Sequence, residues 1–455
     1  EDDELARLAR APLEIQRRYD EAFDVEAVTR EFYREYRRVF EAVEGSIGGF
    51  GSEQERRRLF TQRLFNRLMF IAFIQKKGWL RLDGQHGNEY LSALWTTYRA
   101  ARDRGDAANF YEERLKLLFA QLNTPHGHDG RHASRGTIVE RWIGVVPYLN
   151  GGLFHQDDDD TRSDIVVPDE SIHLILRDLF DRFNFTITES TPLDVEVAVD
   201  PEMLGKVFEE LVTGRHESGS YYTPKPIVAF MCREALKGYL GSTLPAEPAA
   251  AIERFVEEHD PGGLRDPEAV LDALRRVRVC DPAVGSGAYL LGMLHELLDL
   301  RQALFQAQSL DPISNYRRKL EIIRNNLYGV DLDPFAVNIA QLRLWLSLAV
   351  EFDGPDPQPL PNLDFKIEQG DSVLGPEPPS LAHDPMRLQL VQVLAALKAD
   401  YLTADPNQKR RLAAEIAKQE ADIAALTPHA AAGNGFDWAV KFAEVFVDGG
   451  FDIIL

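Results

Sequence analysis

The run Val279-Cys280-Asp281-Pro282-Ala283-Val284-Gly285-Ser286-Gly287-Ala288-Tyr289, followed by Leu327-Tyr328-Gly329-Val330-Asp331-Leu332-Asp333-Pro334, decides the fold. It reads as a strand ending in an acid, a small-residue loop, a helix, and a second strand that also ends in an acid. A nucleotide-like ligand needs that order. Small residues let backbone N–H groups approach it, and a carboxylate after the next strand can accept from ribose hydroxyls. The glycine spacing does not fit Gly-x-Gly-x-x-Gly, so a dinucleotide-dependent oxidoreductase is the weakest reading. Asp281 and Asp331 stand about 50 residues apart in the chain, against about 20 for a simple dinucleotide fold. The surplus predicts a long helix from Ala288 to about Ala307 and an added helix from Ser314 to Asn325.

Working outward, the spacing Leu388-x-Leu390-Val391-x-x-Leu394, then Leu412-x-x-x-Ile416, predicts a helical hairpin over about 385–426. It is broken at Ala404-Asp405-Pro406-Asn407. Before the glycine loop, a helix is expected from Lys225 towards Leu240, and another behind Asp200-Pro201. From Leu5 to about Leu122 the pattern is helical, with one stop at Lys76-Lys77-Gly78, where cations fill the last turn and glycine follows. Pro147 to Phe154 reads as a turn between bulky anchors, and the acidic run Asp157 to Asp160 as an exposed loop. His126, His128 and His132 lie in a polar loop without a carboxylate or cysteine frame, so no metal is expected.

The 455 residues, with 44% hydrophobic and 10% aromatic content, are those of a soluble globular protein of two or three domains. No apolar run is long enough to span a bilayer, no signal peptide is visible, and Cys232 and Cys280 sit in apolar surroundings. A cytoplasmic protein with buried thiols and no membrane partner is expected. The net charge of −22 counts against a nucleic-acid partner. Local basic clusters at Arg56 to Arg58, Arg275-Arg276 with Arg278, Arg317 to Lys319 and Lys409 to Arg411 read first as solvated helix faces. The chain opens at Glu1 within a helical pattern and stops in the strand-like Phe451 to Leu455, which reads as an excerpt of a longer polypeptide.

Four further motifs accompany the glycine loop in a fixed order. They are Gly219-Ser220-Tyr221-Tyr222-Thr223-Pro224, then Tyr328 to Pro334 running into Ala336 to Leu346. Asn362 to Ile367 follows, leading to Gly370-Asp371-Ser372-Val373-Leu374; last comes Gly435-Phe436-Asp437-Trp438 with Gly449 to Leu455. With these, and with Leu64 to Leu80 and Pro147 to Phe154, the chain resembles the N6-adenine DNA methyltransferases of type II restriction–modification systems and the large phage-defence methylases. The resemblance spans nearly the whole chain. It implies an α/β fold: a Rossmann-like class I methyltransferase core over 191–455, carrying the hairpin insert, after an all-helical domain over 1–190.

The resemblance also implies S-adenosylmethionine as cofactor, double-stranded DNA as partner, and possible protein partners from a defence system. Tyr222, Thr223 and Pro224 would hold the methionine end. Asp281, Pro282, Ala283, Gly285, Ser286 and Gly287 would form the loop beneath it, Asp331 would accept from the ribose, Leu332 would cover the adenine ring, and Asp371 would accept from the adenine amino group, with Ser372 also among the cofactor-binding residues. Cofactor hydroxyls and amine are donors, which acids after successive strands complement. The alternative is that Asp331 and Asp371 merely cap the following helices. In this family the strand resembling Phe451 to Leu455 is followed by Asn/Asp-Pro-Pro-Tyr/Phe, which acts on the flipped base. That motif lies beyond Leu455, so no catalytic residue is named and the chain alone is expected to be inactive. Two other readings stay open, a methyltransferase for RNA or protein glutamine, and a non-catalytic scaffold subunit of a defence complex. No Asp…Glu-x-Lys nuclease pair stands out.

Overall fold

The computed structural model describes residues 25–82, 85–86, 89–124, 137–149, 152–185, 198–199, 223–307, 314–352, 354, 357–374, 384–404, 406–426 and 436–455. Of the expected features, the start of the first helical stretch, the loop bearing His126, His128 and His132, the helix behind Asp200 and the motif up to Tyr222 lie outside these residues. The chain divides into two compact units. One takes in 1–118, 134–146 and 156–215, and the other 119–133, 147–155 and 216–455.

In the first unit, helices α1 (Val25–Ser46), α2 (Gln54–Lys76), α3 (Tyr90–Asp103) and α4 (Asp169–Ile175) dominate. α2 ends where the sequence stops it: Lys77 closes the last turn and Gly78 follows at φ +68. Its apolar run is buried on every side, and Phe65 meets Tyr36 and Phe40 edge-on at 5.2 Å. The unit is not all-helical. Two strand pairs, β1 (Arg81–Leu82) with β2 (Gln85–His86) and β3 (Asn184–Phe185) with β4 (Ala198–Val199), are two residues long on each side. Such stretches are too short to carry an alternating pattern.

The acidic run also departs from expectation. Asp157 caps a short helix, Asp158–Thr161, in a reciprocal capping box. Asp159 and Asp160 are buried. Asp160 receives both terminal nitrogens of Arg67 at 2.8 Å, and Asp159 faces Arg56 at 2.6 Å and Arg63 at 3.1 Å. Burial alone would raise the Asp160 carboxyl; the Arg67 hydrogen bonds and charge outweigh it and hold the group below the usual range. The run is therefore an ion-pair core with α2, and part of the Arg56 to Arg58 cluster is consumed by it.

The second unit is built on a four-stranded, wholly parallel sheet in the order β7-β6-β5-β8, where β5 is Val279–Asp281, β6 Leu327–Asp331, β7 Ile367–Gln369 and β8 Ile453–Ile454. β5 and most of β6 are buried, as a parallel sheet covered on both faces requires. Helices α5 (Lys225–Thr243), α6 (Ala249–Glu258) and α7 (Pro267–Arg276) precede β5. α8 (Ala288–Ala307) and α9 (Asn315–Asn325, capped by Ser314) join β5 to β6, and α10 (Pro334–Val350) follows β6. The hairpin is α11 (Pro385–Thr403) and α12 (Pro406–Ala425), with Asp384 capping the first arm. Two single-turn helices, α13 (Trp438–Lys441) and α14 (Ala443–Phe446), lead into β8; Phe436, Phe442 and Val445 pack with Cys280, Tyr328 and Val330.

The segment read as a turn joins this unit: Leu149 donates to Leu122 O at 2.8 Å and accepts from Leu360 N at 2.6 Å. Of the basic clusters, Arg318 and Lys319 are buried, and Lys319 pairs with Glu351 at 2.6 Å. Both cysteines are buried and free, and burial pushes the Cys232 thiol up to about 12. No helix of the described residues is long and apolar enough to cross a membrane.

The ion-pair core makes a sharp stability contrast. Arg67→Met strands the buried Asp160 and should cost about 3–5 kcal/mol, whereas Arg56→Met, at a half-exposed position, should cost under about 1 kcal/mol. Urea unfolding of the two variants measures it, and equal losses would remove Asp160 from the core.

Candidate cofactor site

In a parallel sheet all strands end on the same side, so Asp281, Asp331 and the Gly370–Leu374 loop share one end of the sheet. The order also reverses at β5: one chain direction leads to β6 and β7, the other to β8. That opens a crevice at its carboxyl end. The loop after β5 is tightly tethered there. Val284 N donates to Val330 O at 2.8 Å, Gly285 N to the Asp331 Oδ2 at 2.8 Å, and Gly287 N to Val284 O at 2.8 Å. Gly287 is required twice over, because its φ is +84 and a Cβ would lie 3.2 Å from that of Ala340 on α10. Gly285 needs only its backbone, at φ +51, with open space around it.

Asp281 is buried at 3% exposure. Its Oδ1 accepts from Ala283 N at 3.1 Å, while its Oδ2 is buried with no hydrogen-bond partner among the described residues. Burial pushes its carboxyl up to about 7, the Asp331 charge adds to this, and the Ala283 N–H opposes it. Asp331 is less deeply placed. Beyond Gly285 it accepts from Asp333 N at 2.9 Å through Oδ1, and Asp333 itself caps α10 through Phe335 N at 2.8 Å. The helix-cap role therefore belongs to Asp333. Each Asp331 oxygen keeps a second lone pair for a further donor.

After β7, Gly370 N donates to Asp331 O at 2.9 Å, bringing Asp371 alongside. Asp371 Oδ1 accepts from Val373 N at 3.1 Å, in a turn that leaves Val373 and Leu374 exposed beside exposed Leu332. Ser372 contributes its carbonyl to the Trp438 indole N–H at 3.2 Å. Ser286 is buried, and both its hydroxyl and carbonyl oxygens accept from Arg343 Nη1, at 2.9 and 2.8 Å. Arg343 was missed by sequence reasoning; its signal was a lone cation inside the apolar run of α10.

Thr223 and Pro224 stand at the start of α5. The body of α5 crosses the first turns of α8, where Cys232 Sγ meets Tyr289 O at 3.8 Å. Its far end reaches α7 near the amino end of β5, Tyr239 OH donating to Ala273 O at 3.1 Å. Thr223 and Pro224 therefore lie towards the carboxyl ends of the strands. Tyr222 lies outside the described residues. Pro282 and Ala283 sit in the loop itself.

The Eco57I restriction-modification methylase model matches residues 325–455, and the MmeI DNA-methyltransferase domain model matches residues 261–352. Together the two matches place residues 261–455 in similarity to restriction–modification methylase domains. A curated Methanocaldococcus jannaschii protein, named as a type II restriction enzyme and methyltransferase, is 32% identical over 71% of this chain, which spans only 28% of that protein. Among solved structures, the type IIL restriction–modification enzyme MmeI in complex with DNA is similar at 15% identity and a TM-score of 0.44, covering 76% of this chain and 40% of that one. A DrdV–DNA complex is similar at 13% identity and a TM-score of 0.28, covering 77% of this chain and 26% of that one. These last two likenesses are too distant to carry an argument. The glycine loop falls within the methylase match that ends at 352, and Asp331 within both.

The two glycines separate conformation from space. Gly287→Ala should cost more stability than Gly285→Ala, because both pay about 1–2 kcal/mol for the left-handed backbone and only the first also displaces Ala340. Chemical denaturation of the two variants tests this; a larger loss at Gly285 would contradict the tether as described.

Proposed function

We propose that this domain binds S-adenosylmethionine at the carboxyl ends of β5, β6 and β7, and that the protein containing it methylates the N6 of adenine in double-stranded DNA. The observation that carries the reading is the placement of three carboxylates at one end of the sheet, Asp281 and Asp331 on the glycine loop and Asp371 in the loop tied to Asp331, one of them with a buried oxygen unpartnered among the described residues. A buried anion without a partner is costly, and a cationic ligand relieves it. The cofactor's ammonium suits Asp281, its ribose hydroxyls suit Asp331, and its adenine amino group suits Asp371, with Leu332 against the ring. Thr223 and Pro224 at the head of α5 complete the methionine end.

When bound, the cofactor supplies an electrophilic methyl group on a sulfonium. The residues of this chain bind and orient it: Gly285 and Gly287 let the backbone come close, and Arg343 fixes Ser286. An adenine N6 in duplex DNA is engaged in base pairing, so a duplex substrate requires that the base leave the stack. DNA as substrate, adenine as target and restriction–modification as setting rest on the motif resemblance and on the names of the similar proteins.

Two measurements test the cofactor half. Asp331→Ala should weaken S-adenosylmethionine by about 1–3 kcal/mol, the loss of a charged acceptor; unchanged affinity by calorimetry would sink the ribose assignment. A cationic ammonium binds the ionised form of Asp281, whose carboxyl sits at about 7 without ligand. Affinity should therefore fall as pH drops below about 7 and level off above it, and Asp281→Asn should flatten that profile. The substrate half is tested by incubating the full-length protein with plasmid DNA, total RNA and protein, then analysing the products by mass spectrometry. N6-methyladenine in DNA is expected; methyl groups confined to cytosine, RNA or glutamine would overturn it.

A further inference from the structure

The loop bearing Asp371 follows β7, which among the described residues is an edge strand with a neighbour, β6, on one side only. From the sheet side the loop is tied through the backbone by Gly370 N to Asp331 O at 2.9 Å. From the open side it is clamped by one tripeptide, Phe436-Asp437-Trp438. Phe436 N donates to Leu374 O at 2.6 Å, and the Trp438 indole N–H donates to Ser372 O at 3.2 Å. The Phe436 ring lies so close over Gly370 that a Cβ there would sit 2.3 Å from Cδ2. Both carbonyls flanking the exposed Val373 are thus held by residues 65 or so positions downstream.

The clamp has its own anchor. Both Asp437 carboxylate oxygens accept from Nη2 of Arg387, at 2.8 and 2.6 Å, and Arg387 is buried on the first arm of the hairpin, α11. Lys398, about three turns further along α11, donates to Val440 O at 3.0 Å and Lys441 O at 2.7 Å, so the hairpin holds α13 at two points. A charged, paired anchor and an aromatic clamp are more than an exposed five-residue turn needs to stay attached. They are suited to keeping one carboxylate at a fixed place at the edge of the sheet.

We propose that Trp438 is a positioning residue that sets the base selectivity of the cofactor pocket through Asp371, and that the helical hairpin acts on that pocket through the Arg387–Asp437 pair. The inference rests on the reading of Asp371 as acceptor of the adenine amino group. Held in place, the carboxylate accepts from an amino group at the 6-position and repels a carbonyl oxygen there. Loosened, it does both less well.

The test compares S-adenosylhomocysteine with S-inosylhomocysteine, whose base presents an oxygen in place of the amino group, by calorimetry on the whole chain. Trp438→Phe keeps an aromatic ring among Phe436, Phe442 and Phe451, whose centroids lie 4.9, 5.7 and 6.1 Å away, and removes the indole N–H with the five-membered ring that carries it. The adenine preference of the wild type should fall roughly threefold to tenfold, as for one neutral hydrogen bond, with the loss confined to the adenine ligand. Equal weakening of both ligands, or an unchanged ratio, would overturn the inference. Should Trp438→Phe lose its thermal transition, Arg387→Gln, which frees Asp437 and leaves the indole in place, should lower the same ratio, and an unchanged ratio there overturns it equally. A wild type that binds neither ligand refutes the cofactor reading itself; one that binds both equally refutes the role of Asp371, and in either case the inference falls with it.

Discussion

The hydrogen bond from Gly285 N to the Asp331 carboxylate, 2.8 Å long, joins the loop after one strand to the end of the next. With Val284 N on Val330 O it fixes the glycine loop against β6 rather than leaving it to the helix that follows. Everything at that end depends on the tether. It sets the backbone of Gly285 and Gly287, it brings the Asp331 charge close enough to act on Asp281, and it leaves Asp281 walled in behind them. The Asp331 carboxylate can do this and still accept from a ligand, because each oxygen offers two lone pairs. A cap on the following helix is supplied separately by Asp333, so Asp331 is free of that duty.

The sheet's other constraint is its edge. With β7 outermost, the residues after it would otherwise be held from one side. The hairpin and the α13–α14 segment supply the missing side. Their apolar core of Val391, Leu394, Leu412, Ile416 and Ile423 packs with Val440 and Ala443, and Phe365 just before β7 joins it. Charge is buried in the same place. Lys366 lies 3.8 Å above the Tyr328 ring and faces Glu444 at 3.8 Å, and burial brings its amine down to about 8. Desolvation pushes the carboxyl of Glu368, partly buried on β7 near Lys441, up to about 7. An insert that binds its host through buried ions as well as apolar surface is fixed in register, not merely attached.

Much of this was legible in local residue patterns. Ser314 marked the start of α9 and Ala404 to Asn407 marked the hairpin's bend, because caps and breakers act on their own few residues. The strand–glycine loop–strand order was legible for the same reason. What escaped was non-local. Asp159 and Asp160 looked like solvent-exposed acids because the arginines that bury them lie on a helix roughly 95 positions earlier. Arg343 was hidden in an apolar run whose partner, Ser286, comes from another element. The two-residue strand pairs of the first unit carry no period at all, and the role of Phe436 to Trp438 follows only from where the edge of the sheet falls.

The most direct measurement of the central claim is a crystal structure of this chain with S-adenosylhomocysteine. The ligand should lie at the carboxyl ends of β5, β6 and β7, with ribose hydroxyls on Asp331, the ammonium on Asp281 and the adenine amino group on Asp371. A ligand bound elsewhere, or one at that end with neither Asp331 nor Asp371 within hydrogen-bonding distance, would contradict it.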